Sequence, residues 1–316
     1  MNILYLAPEG FDYSSNQITE GLWLISKQFD IDNFWCTNKT VHHGSMIEDL
    51  DLIKESQVDD LIDRADLILL SSGGDFKFLE NFDYFESRRD LLAERGVFLD
   101  GHDSNNYLVD PSMFRLYLKR ELRYPEANML AWHNVRSFQF GVYQFHFDNE
   151  RLDYDARDND VAFVAYGGSS ALRSECKAHL DQLASRTNLK IVANAPGDKQ
   201  PLSIPEYRNL MRRSKCIVSV PGAGIDTLRF WESIGFGSAL CSPDVSKAMH
   251  MRHTPEPHRH ALYFNSWEHM HELLQEIVSN KKWWTQLTNA AVDFAQEYHS
   301  TKARARQMLQ FFKELG

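Results

Sequence analysis

The chain has 316 residues, 43% hydrophobic and 25% charged, with a formal charge of −10. That length exceeds the usual single core, so two domains of roughly 150 residues each are expected, and the acidic balance argues against a protein whose main task is to grip a polyanion, leaving room only for a local basic patch. Four scattered cysteines without a CxxC pair exclude a disulfide scaffold and suit a reducing compartment; no apolar run approaches the ~18 residues of a membrane span, and the apolar start stops at Pro8-Glu9, so a cytoplasmic, unanchored protein is expected.

Asn2 to Ala7 reads as a first buried strand, and Ser14-Ser15-Asn16 as the cap of a helix running to about Gln28. A strand at Ile31 to Trp35, a helix over about Ile47 to Ala65, and a strand at Leu67 to Ser71 ended by Ser72-Gly73-Gly74 follow. Tyr84 to Glu94 reads as helix, and Val97-Phe98-Leu99 as a strand that delivers Asp100-Gly101-His102-Asp103 at its carboxyl end. Strands alternating with helices imply a doubly wound parallel sheet, whose ligands bind beyond the carboxyl ends of the strands, so Asp100 and Asp103 stand where a site is expected. Asp100 also reads as a turn or cap acid. Leu116 to Arg123 reads as a basic helix whose Lys119 and Arg120 either assist phosphate or acceptor binding or form a solvated face.

The charged segment Asp148 to Asp160 reads as a linker, after which the alternation restarts. A strand at Val161 to Tyr166 meets Gly167-Gly168-Ser169-Ser170 and a helix from about Ala171 to Ser185; a strand at Leu189 to Ala193 meets Asn194-Ala195-Pro196-Gly197; Pro205 to Arg213 is helical. Cys216 to Val220 is then a buried strand ending in the Pro221-Gly222-Ala223-Gly224 loop, and a helix begins at a cap of Asp226 or Thr227. Such a strand, glycine loop and helix N-terminus present unpaired N–H groups and a positive dipole end to a phosphate. Arg229 and Glu232, three apart, share one helix face: one suits phosphate charge, the other two ribose hydroxyls. Gly167-Gly168-Ser169 with Arg173 forms a second strand-end loop, and two such loops, each followed by an arginine, make a diphosphate clamp; Arg173 also reads as a solvated helix residue. Ser238 to Cys241 is one more strand, and the tail from about Ser266 to Glu314 is almost all helix.

The dinucleotide fingerprint GxGxxG is missing after the first strand and incomplete at Gly222 and Gly224, where Thr227 replaces the third glycine, and no GxxxxGK[ST] loop occurs. Asp49-Leu50-Asp51 and Asp158-Asn159-Asp160 read as solvated acids. The histidines from His250 to His260, with His269 and His271, lack regular ligand spacing and read as polar loop residues, so no metal site is expected.

Tyr166-Gly167-Gly168-Ser169 with Arg173, Asn194-Ala195, and Thr227-Leu228-Arg229-Phe230-Trp231-Glu232 resemble the donor-binding half of glycosyltransferases of the GT-B fold, in wording near phage DNA β-glucosyltransferases and exostosin-like and spore-coat-type transferases. The resemblance covers roughly Val161 to Pro243 and is thin in the first half. It implies an α/β protein with two Rossmann-like doubly wound domains facing across a cleft. These are an acceptor-side domain over 1–150, a nucleotide-sugar domain over 151–285, and a C-terminal helix over 286–316 that packs back on the first. It implies a donor site of Gly167, Gly168, Ser169, Arg173, Asn194, Gly222, Gly224, Asp226, Thr227, Arg229 and Glu232, the arginines on the diphosphate and Glu232 on the ribose. It gives Asp100 the role of catalytic base, with Asp103 and His102 as competing candidates.

The implied reaction moves a sugar from a UDP-sugar to an acceptor hydroxyl by direct displacement, with inversion and without bound metal or other cofactor. The acidic charge favours a glycan or small-molecule acceptor. Two alternatives are a transferase acting on modified DNA and a catalytically silent nucleotide-sugar-binding protein.

Overall fold

The computed structural model describes residues 1–8, 12–26, 31–37, 47, 50, 52–72, 82–124, 132–148, 151–165, 170–194 and 202–315. In chain order the elements are β1 (Asn2–Leu6), α1 (Tyr13–Ser26), β2 (Asn33–Cys36), α2 (Val58–Ile62), β3 (Leu67–Ser71), α3 (Phe82–Glu86), α4 (Arg89–Arg95), β4 (Gly96–Asp100), β5 (Leu116–Lys119), β6 (Val135–Ser137), α5 (Gln144–Asp148), β7 (Asn159–Val164), α6 (Ala171–Arg186), β8 (Ile191–Asn194), α7 (Ile204–Arg212), β9 (Ser214–Val218), α8 (Leu228–Gly235), β10 (Ala239–Pro243), β11 (Leu262–Phe264), α9 (Trp267–Ser279), α10 (Lys281–Tyr298) and α11 (Thr301–Glu314). Two compact units result. The first is Met1–Phe145 with His250–Arg252 and His299–Gly316; the second is His146–Met249 with His253–Tyr298.

The first unit holds a six-stranded sheet in the order β2-β1-β3-β4-β5-β6, every pairing parallel. A strand turns successive side chains to opposite faces. Ile3, Tyr5, Leu67, Leu69, Val97, Leu99, Leu116 and Leu118 therefore meet α1 and α11 on one face, while Leu4, Ile68, Leu70, Phe98 and Tyr117 form a second core on the other. Burial on both faces explains why these strands read as continuous apolar runs. Helix α1 lies tightly on α11: a Cβ on Gly21 would stand 2.1 Å from the Thr301 carbonyl oxygen and 2.9 Å from Ala305 Cβ.

The second unit holds a five-stranded sheet in the order β11-β10-β9-β7-β8, again wholly parallel. Its main core joins Phe163, Cys176, Leu180, Val218, Cys241 and Leu273. All four cysteines are buried thiols outside any disulfide. No helix among the described residues is long and apolar enough to cross a membrane.

Three local expectations fail. Leu116 to Arg123 is not a helix: Leu116–Lys119 is the strand β5 between β4 and β6, because both faces of Leu116-Tyr117-Leu118 are covered and the charges that follow are buried in ion pairs. The helix over Ile47 to Ala65 contracts to α2 with one preceding 3₁₀ turn, since Leu52 bridges to Cys36 and the Ile53 N–H donates to the Cys36 carbonyl at 3.0 Å. The segment 148–160 is not a loose linker. Arg157 is buried within it and donates to the Leu152, Ser214, Phe236 and Gly237 carbonyls and to Ser238 Oγ, and Asp160 lies in β7, ion-paired with Lys215 at 2.8 Å. Gly73, Gly74, Asp49 and Asp51 lie outside the described residues.

Candidate functional site

In the second unit the site grows from the carboxyl ends of β7 and β9. Beyond β9, Ser219 Oγ and Thr227 Oγ1 stand 3.1 Å apart, and the Gly222 N–H donates to the Gly224 carbonyl at 3.0 Å, so the loop closes on itself before α8 begins. Thr227, in extended conformation, accepts from the Phe230 N–H and is the N-cap; the next residues, Leu228 and Arg229, open the helix with its dipole's positive end. Asp226, the other expected cap, is buried and accepts from Trp231 Nε1 at 2.8 Å, which fixes the indole inside the unit.

Beyond β7, Ser170 caps α6, accepting from the Arg173 N–H, and its hydroxyl donates to the Pro221 carbonyl at 3.2 Å. That bond ties the two strand-end loops together. Arg173 is 9% exposed and its guanidinium lies directly over Gly222, where a Cβ would come within 2.2 Å of Nη2. Burial first, and then the positive charge of Arg229, hold the Arg173 guanidinium below its ordinary range. Arg173 is thus no solvated helix residue: its guanidinium lies at the Gly222–Gly224 loop, within reach of the charge of Arg229 in the first turn of α8. Arg229 Nε is buried and meets no acceptor among the described residues.

Glu232 is buried one turn further along α8. It accepts from the Tyr207 hydroxyl at 2.5 Å. Burial pushes its carboxyl above the usual carboxylate range, opposed by that hydrogen bond and by the charges of Arg229 and Arg208. Tyr207 and Arg208 come from α7, a helix whose sequence announced no functional residue. Neither carries a local sequence signal, because the partner of Tyr207, Glu232, lies in the next helix. Asn194 ends β8, half-buried, its carbonyl accepting from Ala165 N–H at 2.9 Å. Tyr166, Gly167, Gly168, Ser169 and Ala195 to Gly197 lie outside the described residues.

In the first unit, Asp100 ends β4 with no solvent exposure. Its carboxylate accepts from the Tyr117 hydroxyl at 2.6 Å, Lys119 Nζ at 2.9 Å and the His102 N–H at 3.0 Å. Burial drives the Lys119 ammonium below its ordinary range against the pull of Asp100. Asp103, by contrast, reaches solvent and pairs with Arg120, which also donates to the Gly101 carbonyl and Glu121. His102 is half-exposed, its Nδ1 at 2.9 Å from Ser104 Oγ. Lys119 and Arg120 face neither solvent nor a free ligand surface but hold this loop from below.

The remaining histidines mostly pack on aromatic rings. His253 stacks on Tyr298 at 4.1 Å and His260 on Phe294 at 4.6 Å. Among the described residues no group of three or more His, Cys, Asp or Glu side chains is arranged to hold a metal ion.

Residues 173–310 match the model of the glycosyl transferase-like family. No curated protein matches the sequence. Among solved structures, an α-glucosyltransferase in complex with UDP-glucose and abasic-site DNA superposes with a TM-score of 0.66 at 9% identity, covering 99% of each chain. A glycosyltransferase from Rickettsia africae gives 0.58 at 12% identity over 99% of this chain and 98% of that one. A sucrose-phosphate synthase from Thermosynechococcus elongatus gives 0.52 at 13%, with the same coverage. Residues 173–310 thus resemble the glycosyl transferase-like family, and the chain as a whole has the fold of these structures, the two Rossmann-like sheets of the GT-B fold.

Proposed function

We propose that the protein is a glycosyltransferase that binds a UDP-sugar in its second unit and passes the sugar to an acceptor hydroxyl. The observation that carries this reading is the Arg173 guanidinium over Gly222, within reach of the charge of Arg229 in the capped first turn of α8, with Glu232 one turn further along. Two mutually repelling guanidinium groups at a helix N-terminus suit a ligand with two linked phosphates, which relieves their repulsion and accepts bidentate hydrogen bonds. A carboxylate beside them, held by Tyr207, suits a ribose diol. That similar structures hold UDP-glucose and UDP supports the choice of nucleotide.

In this reading the protein's charges act on the leaving group. As the acceptor oxygen bonds to the anomeric carbon, the bond from that carbon to the β-phosphate oxygen breaks. Arg173, Arg229 and the α8 dipole then stabilise the negative charge that appears on the diphosphate. Asp100, the expected base of an inverting attack, has its carboxylate occupied by Tyr117 and Lys119. We therefore favour retention, in which the departing diphosphate oxygen takes the acceptor proton. The α-glucosyltransferases among the similar structures support this choice, since UDP-glucose carries its sugar in α linkage. His102 and Asp103 then orient sugar or acceptor, and no metal is required. The charge of −10 favours a glycan or small-molecule acceptor; a DNA acceptor is the second reading, favoured by the DNA-bound α-glucosyltransferases. The four buried thiols suit a cytoplasmic setting.

The test is a thermal-shift panel of nucleoside diphosphates and UDP-sugars on the wild type and on Arg229→Ala. A stabilisation by UDP that disappears in the variant is expected. No shift with any nucleoside diphosphate would sink the reading, and binding without turnover on any acceptor would leave the non-catalytic alternative. The anomer of the product, read by NMR, decides between retention and inversion.

A further inference from the structure

Away from the donor residues, the first unit contains a cavity of 470 Å³ at its β6 edge, bounded by β6, by the strap His250–Arg252 and by α11. Leu122, Val135 and Phe311 supply its apolar wall, and Trp132 and His250 add aromatic rings. Two guanidinium groups complete it. Arg252 lies over the Phe311 ring at 4.8 Å and Arg136 over the same ring at 5.9 Å, while Arg115 covers the next ring, Phe312, at 4.2 Å. No carboxylate is among the described lining residues, which is unusual in a chain this acidic.

The walls are fixed. The His250 carbonyl accepts from Ser137 Oγ at 2.6 Å and Gln139 Nε2 at 2.8 Å, and the His250 N–H donates to the Leu122 carbonyl at 2.7 Å, so three hydrogen bonds clamp the strap to the sheet edge. The Arg136 guanidinium is held through Nη1 by the His133 and Val135 carbonyls at 2.7 and 2.9 Å, which leaves Nη2 without a protein acceptor among the described residues. Arg252 is exposed and stacked. Two pre-positioned planar cations over an apolar floor match an anion that carries an apolar or aromatic body.

We propose that this cavity is a second ligand site, which takes a phosphate ester: the phosphate lies between Arg136 and Arg252, and the organic part lies on Trp132 and the apolar wall. The group comes either from a small phosphate monoester or from the phosphodiester backbone of a polymer. The proposal is independent of the donor-site reading, because none of its residues belongs to that site.

The experiment is calorimetric titration of the full chain with phenyl phosphate and, separately, with an oligothymidylate lacking a terminal phosphate, both in saturating UDP. Saturable binding of either probe is expected, screened by salt, absent for uncharged phenyl glucoside, unchanged in Arg229→Ala, and weakened by roughly tenfold or more in the Arg136→Lys/Arg252→Ala pair, since a bidentate guanidinium contact is lost. Binding of the monoester alone identifies a free ligand, and binding of the oligomer identifies a backbone. No saturable binding of either probe, or binding unaltered in the paired variant or lost in Arg229→Ala instead, would overturn the site. Circular dichroism of the paired variant, which alters one exposed and one half-buried side chain, checks that the fold persists.

Discussion

The guanidinium of Arg173 occupies the space that a side chain at position 222 would need: a Cβ there would lie 2.2 Å from Nη2 and 2.6 Å from Cζ. The glycine is required by its neighbour, not by its own backbone. Because the clash falls on the far end of a flexible side chain, Gly222→Ala should fold normally while moving Arg173 off the loop. UDP affinity is expected to fall by about tenfold, and the Gly222→Ala/Arg173→Ala double variant should bind no more weakly than Arg173→Ala alone, since both remove one interaction. Additive losses by calorimetry would show that the two residues act separately.

Glu232 should pull stability and binding in opposite directions. Burial raises its folded-state pKa, so the folded form holds its proton longer than the unfolded chain. Below the unfolded value both states are protonated and there is no cost. As pH rises through the folded value, ionisation in the buried site destabilises the fold in full. Glu232→Gln should therefore raise Tm at neutral pH and leave it nearly unchanged near about pH 4. The same variant should lose roughly tenfold in UDP affinity and most of its preference for UDP over 2′-deoxy-UDP, for want of the ribose acceptor. A lower Tm at neutral pH would contradict this account.

The buried Asp100–Lys119 pair should behave as a unit. Lys119→Met alone leaves a carboxylate with no solvent exposure deprived of its cation, a loss of about 3–5 kcal/mol. Adding Asp100→Asn should recover much of that loss, because a neutral amide leaves no buried charge unpaired and its single oxygen can still accept from either the Tyr117 hydroxyl or the His102 N–H. Urea denaturation of the two single variants and the double gives the coupling energy directly. A coupling near zero would mean that the pair is not the unit the geometry describes.

Close contact between α1 and α11 sets a fourth expectation. At Gly21 an added methyl meets backbone, the Thr301 carbonyl, and cannot be accommodated by a side-chain rotation. Gly21→Ala should cost on the order of 1–3 kcal/mol through overpacking, read as a lower urea midpoint at unchanged UDP affinity.

Much of this was legible in the sequence where one local rule governs. The continuous apolar runs at Leu67 and Val97 announce doubly covered parallel strands, and the Thr227 cap before Leu228 marks the start of α8. What failed was set by distant partners. Leu116 to Arg123 has the charge density of a surface helix, yet Lys119, Arg120 and Glu121 are buried and its charges pair with Asp100, Asp103 and Glu121 in a network that only the tertiary fold assembles. The same holds in the candidate site. Arg229 and Glu232 lie three apart and could be paired by helical spacing alone. Tyr207, 25 positions from Glu232, could not, nor could sequence reveal that Asp100 would be sealed by a lysine from the adjacent strand.

The first unit is interrupted in sequence: its sheet is complete by Ser137, but the helix that covers Ile18, Leu22 and Leu69 begins only at Thr301, after the whole second unit. During synthesis the usual order, in which an N-terminal domain finishes folding first, is therefore reversed. The earlier-made sheet must wait with one apolar face covered only by α1 while the later-made unit, whose elements are contiguous but for three residues, is already whole. A nascent chain stalled short of residue 301 would present that face to chaperones, and premature termination there would be felt at the opposite end of the polypeptide.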